Sequence, residues 1–274
     1  MTNTEPHNMD PATLLAWHIA MGADEAIDVD PIDRFTTEVP VATRPLARPA
    51  SPSKPQTQSG PRRVAAKPVQ AVVGAGPEAA TKVAAEAKSL DDLKSAMEAF
   101  DGGLLKRSAK NTVFADGNPA APLMIIGEAP GADEDREGKP FVGVSGQLLD
   151  KILKAAGFNR QDNAYITNMV PWRPLGNATP DGATIAMCMP FVKRHIELVK
   201  PKVILMVGGV SAKALLNTEE GITRLRGKWK DLDISGQKIA ALPVYHPAYL
   251  LRQPHLKGHA WRDILSAKRK LETL

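Results

Sequence analysis

Residues 202–208 read KVILMVG and residues 122–127 read PLMIIG. Neither run alternates apolar with polar residues, as a strand with one face in water would. Unbroken apolar character over five or six residues, ended by Gly, belongs to a strand covered on both faces. Two further runs share this character, AYITN at 164–168 and KIAALPVY at 238–245. Helical patterns separate them at 145–156, 181–199 and 210–216, and another at 258–271 closes the chain. Strands alternating with helices predict an α/β fold, with a parallel sheet covered by helices on both faces. Ligands of such sheets bind outside the carboxyl ends of the strands. The residues after each run therefore carry the search for function.

Working outward from the sheet, globular character begins at Ser89. Ser89 with Asp92 three residues on resembles a capped helix start, and Leu93, Met97 and Phe100 follow at helical spacing. Residues 89–274 are thus expected to form the folded domain. Residues 31–88 differ in kind. Eleven of the 23 prolines fall in the first 90 residues, most of them among Ser, Thr, Gln, Ala and basic residues without apolar periodicity. Such a stretch buries too little surface to offset its ordering entropy, so a disordered linker is expected there. Residues 1–30 are expected to form a leader with one short amphipathic helix. Asp10 would cap it, Pro11 would open it, and Leu14, Trp17 and Met21 would share a face. Packing on the chain's own body and docking onto another protein are both open for that helix.

The chain has 274 residues, 43% of them hydrophobic and only 5% aromatic, with a formal charge of +5. The charge is unevenly spread. All 35 Lys and Arg and 23 of the 30 acids lie from Arg34 onward, a net +12 for that part. A basic body behind an acidic leader points to a polyanionic partner. The single cysteine, Cys188, excludes an internal disulfide and a cysteine-only metal cage, and agrees with a reducing cytoplasm. No basic region precedes an apolar stretch at the N-terminus, and no run approaches the roughly 20 apolar residues of a membrane helix. A cytoplasmic protein without a membrane segment is expected.

After the first strand comes GEAPGADED (127–135) and then GKPFVG (138–143). Four acids in eight residues make a poor phosphate cradle, and neither a P-loop nor a GxGxxG spacing is present. Phe141 lies between glycines in a loop, where it suits stacking on a flat ligand. After the second strand comes TNMVPWRP (167–174), where the Asn168 amide offers a donor and an acceptor side by side, able to read the edge of a base. After the fourth comes HPAYLLR (246–252), with His246 placed to stabilise a developing oxyanion. Each feature alone has an ordinary structural reading as a polar loop, a turn cap or a core histidine. Their placement together at three strand ends favours a site. The third strand ends in GGVSAK (208–213), which lacks P-loop spacing and reads as a helix start.

Taken in order, GEAPGADED with GKPFVG, TNMV followed by RP, GN and TP, then VGG and HPAYLLR resemble the family 4 uracil-DNA glycosylases over residues 104–274. The resemblance implies a three-layer α/β/α sandwich around a four-stranded parallel sheet, and removal of uracil from single- and double-stranded DNA. Such an enzyme flips the nucleotide out of the duplex. By motif, Phe141 would stack on uracil, Asn168 would bond its polar edge, and Glu134 would lie near C5 and exclude the methyl group of thymine. His246 would bond O2 as the glycosidic bond breaks. Leu250 would wedge into the vacated stack and Arg252 would grip phosphate. Glu128 is the candidate for orienting water or stabilising the sugar cation, since Ala129 stands where related families place an Asp.

The chain departs from the family over iron. The family holds a [4Fe–4S] cluster with four cysteines, whereas FDGGLLK (100–106) contains none and Trp172 stands where the third is expected. A cluster-less relative without a metal cofactor is expected, with Phe100 and Trp172 filling the space, and a monomer suffices for such chemistry. Three alternatives stay open at this level. They are a non-catalytic binder or trap of deaminated bases, a glycosylase for another base such as hypoxanthine, and a scaffold whose leader recruits a partner.

Overall fold

The computed structural model describes residues 75–274. The expected leader helix and most of the expected linker lie outside the described residues. The described part opens with α1 (Pro77–Glu86), α2 (Leu90–Ala99) and α3 (Gly103–Ser108), followed by β1 (Asp116–Gly117) and β2 (Leu123–Gly127). Next come α4 (Ala132–Glu137), α5 (Val144–Ala156), β3 (Ala164–Asn168), α6 (Gly182–Val199), β4 (Val203–Val207) and α7 (Gly209–Leu216). The chain continues through α8 (Ile222–Leu225), β5 (Lys230–Ile234), β6 (Gln237–Val244), α9 (Pro247–Arg252) and α10 (Lys257–Glu272). No described helix is long and apolar enough to cross a membrane.

The four apolar runs of the sequence are β2, β3, β4 and β6, and they pair in parallel in the order β3-β2-β4-β6. The sheet nevertheless has six strands rather than the expected four. Short β1 pairs antiparallel with β3 at one edge, and β5 pairs antiparallel with β6 at the other. These edge strands escape a search for continuous apolar runs because they are not buried on both faces. In β5 only Leu232 and Ile234 are buried. Its hairpin to β6 turns on Ser235 and Gly236, both in the left-handed region at φ 51° and 84°.

Every residue of β2, β3 and β4 is buried, and successive side chains enter two separate cores. Met124, Ile126, Ile204 and Met206 pack with Leu93, Met97, Phe191 and Ile196 on one face. Leu123, Ile125, Val203 and Leu205 pack with Leu149, Leu153 and Ile264 on the other. The expected cap of α2 is present. Ser89 Oγ accepts from Asp92 N at 3.1 Å, and Asp92 Oδ2 accepts from Ser89 N at 3.0 Å.

Helix α1 lies inside the stretch expected to be linker (31–88), and corrects that boundary. Its buried residues are alanines, Ala80 and Ala84, which carry too little hydrophobicity to register as an apolar face yet allow close approach to α6. Arg194 on α6 ties down its end, with Nε and Nη2 donating to Ala87 O at 2.9 and 2.7 Å. The substitution Ala80→Leu is expected to overpack this contact and lower stability by about 1–3 kcal/mol. An unchanged urea midpoint would show that α1 does not belong to the domain core.

Candidate active site

Parallel register brings the carboxyl ends of the strands level, pairing Gly127 with Asn168 and Val207 with Val244. Beyond these ends opens a cavity of about 540 Å³ lined in part by Glu128, Glu134, Phe141, Asn168, His246 and Arg252. Six of the seven residues singled out in the sequence thus meet in one place. The seventh, Leu250, does not.

Asn168 closes β3 and is buried, and its Oδ1 has no hydrogen-bond partner among the described residues. A buried acceptor left unpaired costs about 1–3 kcal/mol, which a ligand donor at this spot would recover. Gly127 makes room for it. A Cβ there would stand 2.3 Å from Asn168 Oδ1 and 2.6 Å from the Phe141 ring, so no side chain can replace it. Phe141 is 5% exposed and adopts φ 55°, a conformation rare for a bulky residue. Its ring lies 5.6 Å from that of His246, at an interplanar angle of 29°.

His246 caps α9, its Nδ1 accepting from Ala248 N at 3.1 Å. With Nδ1 accepting, the neutral ring carries its proton on Nε2 and can donate from there. Burial, reinforced by the nearby Arg252 charge and opposed by Glu134, lowers its pKa to about 4. The ring is therefore neutral at physiological pH. Glu128 follows Gly127 directly. Its carboxylate accepts no hydrogen bond from the described residues, and burial raises its pKa.

Glu134 is buried and bonded by backbone amides. It lines the cavity, but Oε1 accepts from Val142 N at 3.0 Å and from Gly143 N at 2.9 Å, while Oε2 accepts from Gly131 N at 3.1 Å. Oε1 thus holds the backbone of the segment that carries Phe141, and Oε2 caps the start of α4. Leu250 is a correction. It is 1% exposed and packs with Tyr245 and Ala260, so it could enter a base stack only by leaving its own core. The exposed leucine of that helix is its neighbour Leu251, at 42%. Arg252 ends α9 at the cavity with its guanidinium 6.0 Å over the Tyr249 ring. The cavity also takes in Ser145, Tyr249 and residues of the 174–179 loop. Tyr249 lay inside a quoted motif, whereas Ser145 carried no signal in the sequence.

The donor set for an iron–sulfur cluster does not fit this chain. Such a cluster needs four thiolates, and the sequence has one cysteine. Cys188 is buried, and burial pushes its thiol up to about 12. Phe100 and Trp172 stack with ring centroids 6.5 Å apart and planes at 9°, and Phe191 meets Phe100 edge-on at 5.1 Å. Trp172 Nε1 donates to Thr112 Oγ1 at 2.9 Å, and Lys106 Nζ lies 5.9 Å over the Trp172 ring. No group of three or more His, Cys, Asp or Glu among the described residues is placed to hold a metal ion.

The profile of the uracil DNA glycosylase superfamily matches residues 114–265. The type-4 uracil-DNA glycosylase of Saccharolobus solfataricus is 40% identical over 169 residues, which cover 60% of this chain and 78% of that protein. That of Pyrobaculum aerophilum is 39% identical over 58% of this chain and 83% of its own length. That of Thermotoga maritima is 38% identical, covering 58% and 82% respectively. The chain belongs to the uracil-DNA glycosylase superfamily, and its similarity is to the type-4 branch.

Two buried histidines make stability depend on pH. His195 bonds Tyr165 Oη through Nε2 at 2.8 Å and stacks on Phe114, and burial lowers its pKa from 6.5 to about 3. His246 falls from 6.5 to about 4. Below pH 6.5 the unfolded chain binds protons at both rings that the folded chain refuses, so unfolding free energy falls as pH drops toward 4. Urea midpoints at about pH 7, 5.5 and 4.5 are expected to decrease in that order, with a flatter profile for His195→Gln. A wild-type midpoint constant over this range would contradict the burial of the two rings.

Proposed function

We propose that this protein is a uracil-DNA glycosylase, which hydrolyses the N-glycosidic bond of uracil in single- and double-stranded DNA and leaves an abasic site. The observation that carries the reading is the buried, unpartnered Asn168 Oδ1 facing a cavity shared with Phe141 and His246. Uracil presents an acceptor, a donor and an acceptor along O4, N3–H and O2. The Asn168 amide supplies a donor for O4 and an acceptor for N3–H, and His246 Nε2–H supplies the donor for O2. Cytosine presents an amino donor and a bare N3 at the first two positions, and meets this order of groups with like facing like.

The base reaches the cavity only after leaving the helix, and Phe141 replaces the stacking that it loses. As the bond from C1′ to N1 breaks, its electron pair passes to the uracil ring and charge develops on O2. A neutral imidazole with its proton on Nε2 stabilises that anion without having to lose a proton first. Water then bonds to C1′. Glu128, half-buried and more basic than a free carboxylate, orients that water, accepts its proton and offsets the positive charge on the sugar. Glu134 contributes by holding the Phe141 segment, whose flank forms the wall beside C5. Arg252, exposed at the cavity rim, takes a backbone phosphate. The resident cluster of the type-4 branch is not required for these steps, and we propose that this chain works without one, its place taken by Phe100, Trp172 and Phe191.

The test is incubation with an end-labelled oligonucleotide containing one uracil, followed by alkali. Cleavage at the uracil is expected. A folded protein that leaves no alkali-labile site would overturn the function. Asn168→Ala and His246→Ala are each expected to reduce kcat by about 10²–10³-fold with the circular dichroism spectrum unchanged. Full activity in both would remove the site assignment. The purified protein is expected to be colourless, with less than one iron per chain by elemental analysis. A brown protein with stoichiometric iron would contradict the donor-set argument.

A further inference from the structure

Arg160 lies outside every quoted motif, in the turn between α5 and β3. In the fold its side chain is only 12% exposed. All five of its N–H groups find acceptors. Nε donates to Asp150 Oδ1 at 2.9 Å, and Nη2 donates to Asp150 Oδ2 at 3.3 Å and to Phe141 O. Nη1 donates to Asp116 Oδ2 at 2.9 Å and to Pro140 O at 2.8 Å. One guanidinium therefore ties two consecutive carbonyls of the 138–143 segment to two other elements of the domain.

The carbonyls belong to the residue that would stack on the base and to the one before it. Phe141 stands at φ 55°, and a bulky residue stays in that region only where its surroundings hold it. Glu134 holds the amides of Val142 and Gly143 just beyond it. Gly146 lets α5 pass, since a Cβ there would meet Phe141 O at 2.0 Å. Arg160 supplies the remaining grip, on the carbonyl side. It does not line the cavity, and Asp116 and Asp150 balance its charge.

We infer that Arg160 is a positioning residue for the glycosylase reaction, locking Phe141 in its left-handed conformation so that the ring is in place before the base arrives. The inference rests on the proposed function and adds the device that preorganises its stacking platform. Lysine cannot replace arginine here, because a single ammonium lacks the planar fork that reaches both carbonyls and both carboxylates.

Kinetics on a single-stranded uracil oligonucleotide, with a double-mutant cycle, test this. Arg160→Gln and Arg160→Lys are each expected to lower kcat by about 10–100-fold, with KM and its salt dependence within about two-fold of wild type. Phe141→Ala is expected to lower kcat by a similar factor, and adding Arg160→Gln to it should cost less than about three-fold more. Full additivity, wild-type kcat in R160K, or a loss confined to KM with a shallower salt slope would each overturn the role of Arg160. If R160Q fails to fold, R160K decides, because it keeps the charge between Asp116 and Asp150 and removes only the fork. Wild-type activity in F141A would instead overturn the stacking reading, and this inference with it. Absence of cleavage by the wild-type protein would overturn the proposed function itself.

Discussion

The site depends on a place where two strands and a loop come closer than any side chain permits. Gly127 ends β2 beside Asn168 at the end of β3, and a Cβ on Gly127 would collide with both the Asn168 amide and the Phe141 ring. The parallel pairing of β2 with β3 fixes that meeting point. Once it is fixed, the amide faces the cavity, the aromatic ring lies beside it, and the two residues after β6 bring His246 opposite. Remove the close approach and none of the three groups shares a ligand.

Holding the approach requires support from behind. A positive φ at Phe141 is unfavourable for an aromatic residue, and the surrounding structure compensates with anchors on both sides of it. Glu134 takes the following amides, Arg160 takes the carbonyls, and Gly146 leaves the space. Two charged residues that would be expensive to bury alone are satisfied, Glu134 by backbone amides and Arg160 by two carbonyls together with Asp116 and Asp150, so their cost is offset where it arises. His246 is kept neutral by the same burial that shapes the cavity. The chemistry proposed for it uses a proton already in place rather than a charge.

Away from the cavity, Phe100 stacks on Trp172 and meets Phe191 edge-on within the core. Burying aromatic area of this size stabilises a domain by several kcal/mol. The Trp172 indole is also satisfied by Thr112, so its one polar atom is paired.

The sequence by itself determined the elements that are written locally. The four central strands and the helices expected at 145–156, 181–199 and 210–216 lie within a residue or two of where periodicity put them, because continuous burial and helical spacing are properties of short windows. The short α4 and α8 carry too few turns to show a period. The cap of α2 was legible for the same reason, as Ser89 and Asp92 are three residues apart. Six of the seven candidate residues share one cavity, since strand ends of a parallel sheet must meet. Tertiary structure alone decided which way Leu250 faces, that the oxygens of Glu134 bond backbone, that α1 docks through alanines, and that Arg160 reaches Phe141. The partners of Glu134 lie within nine residues of it, but in a loop without a regular period. Leu250, α1 and Arg160 are settled by partners distant in sequence, 19 residues away for Arg160 and Phe141 and 107 for Arg194 and Ala87. A side chain's own neighbours in the chain carry no record of such a partner.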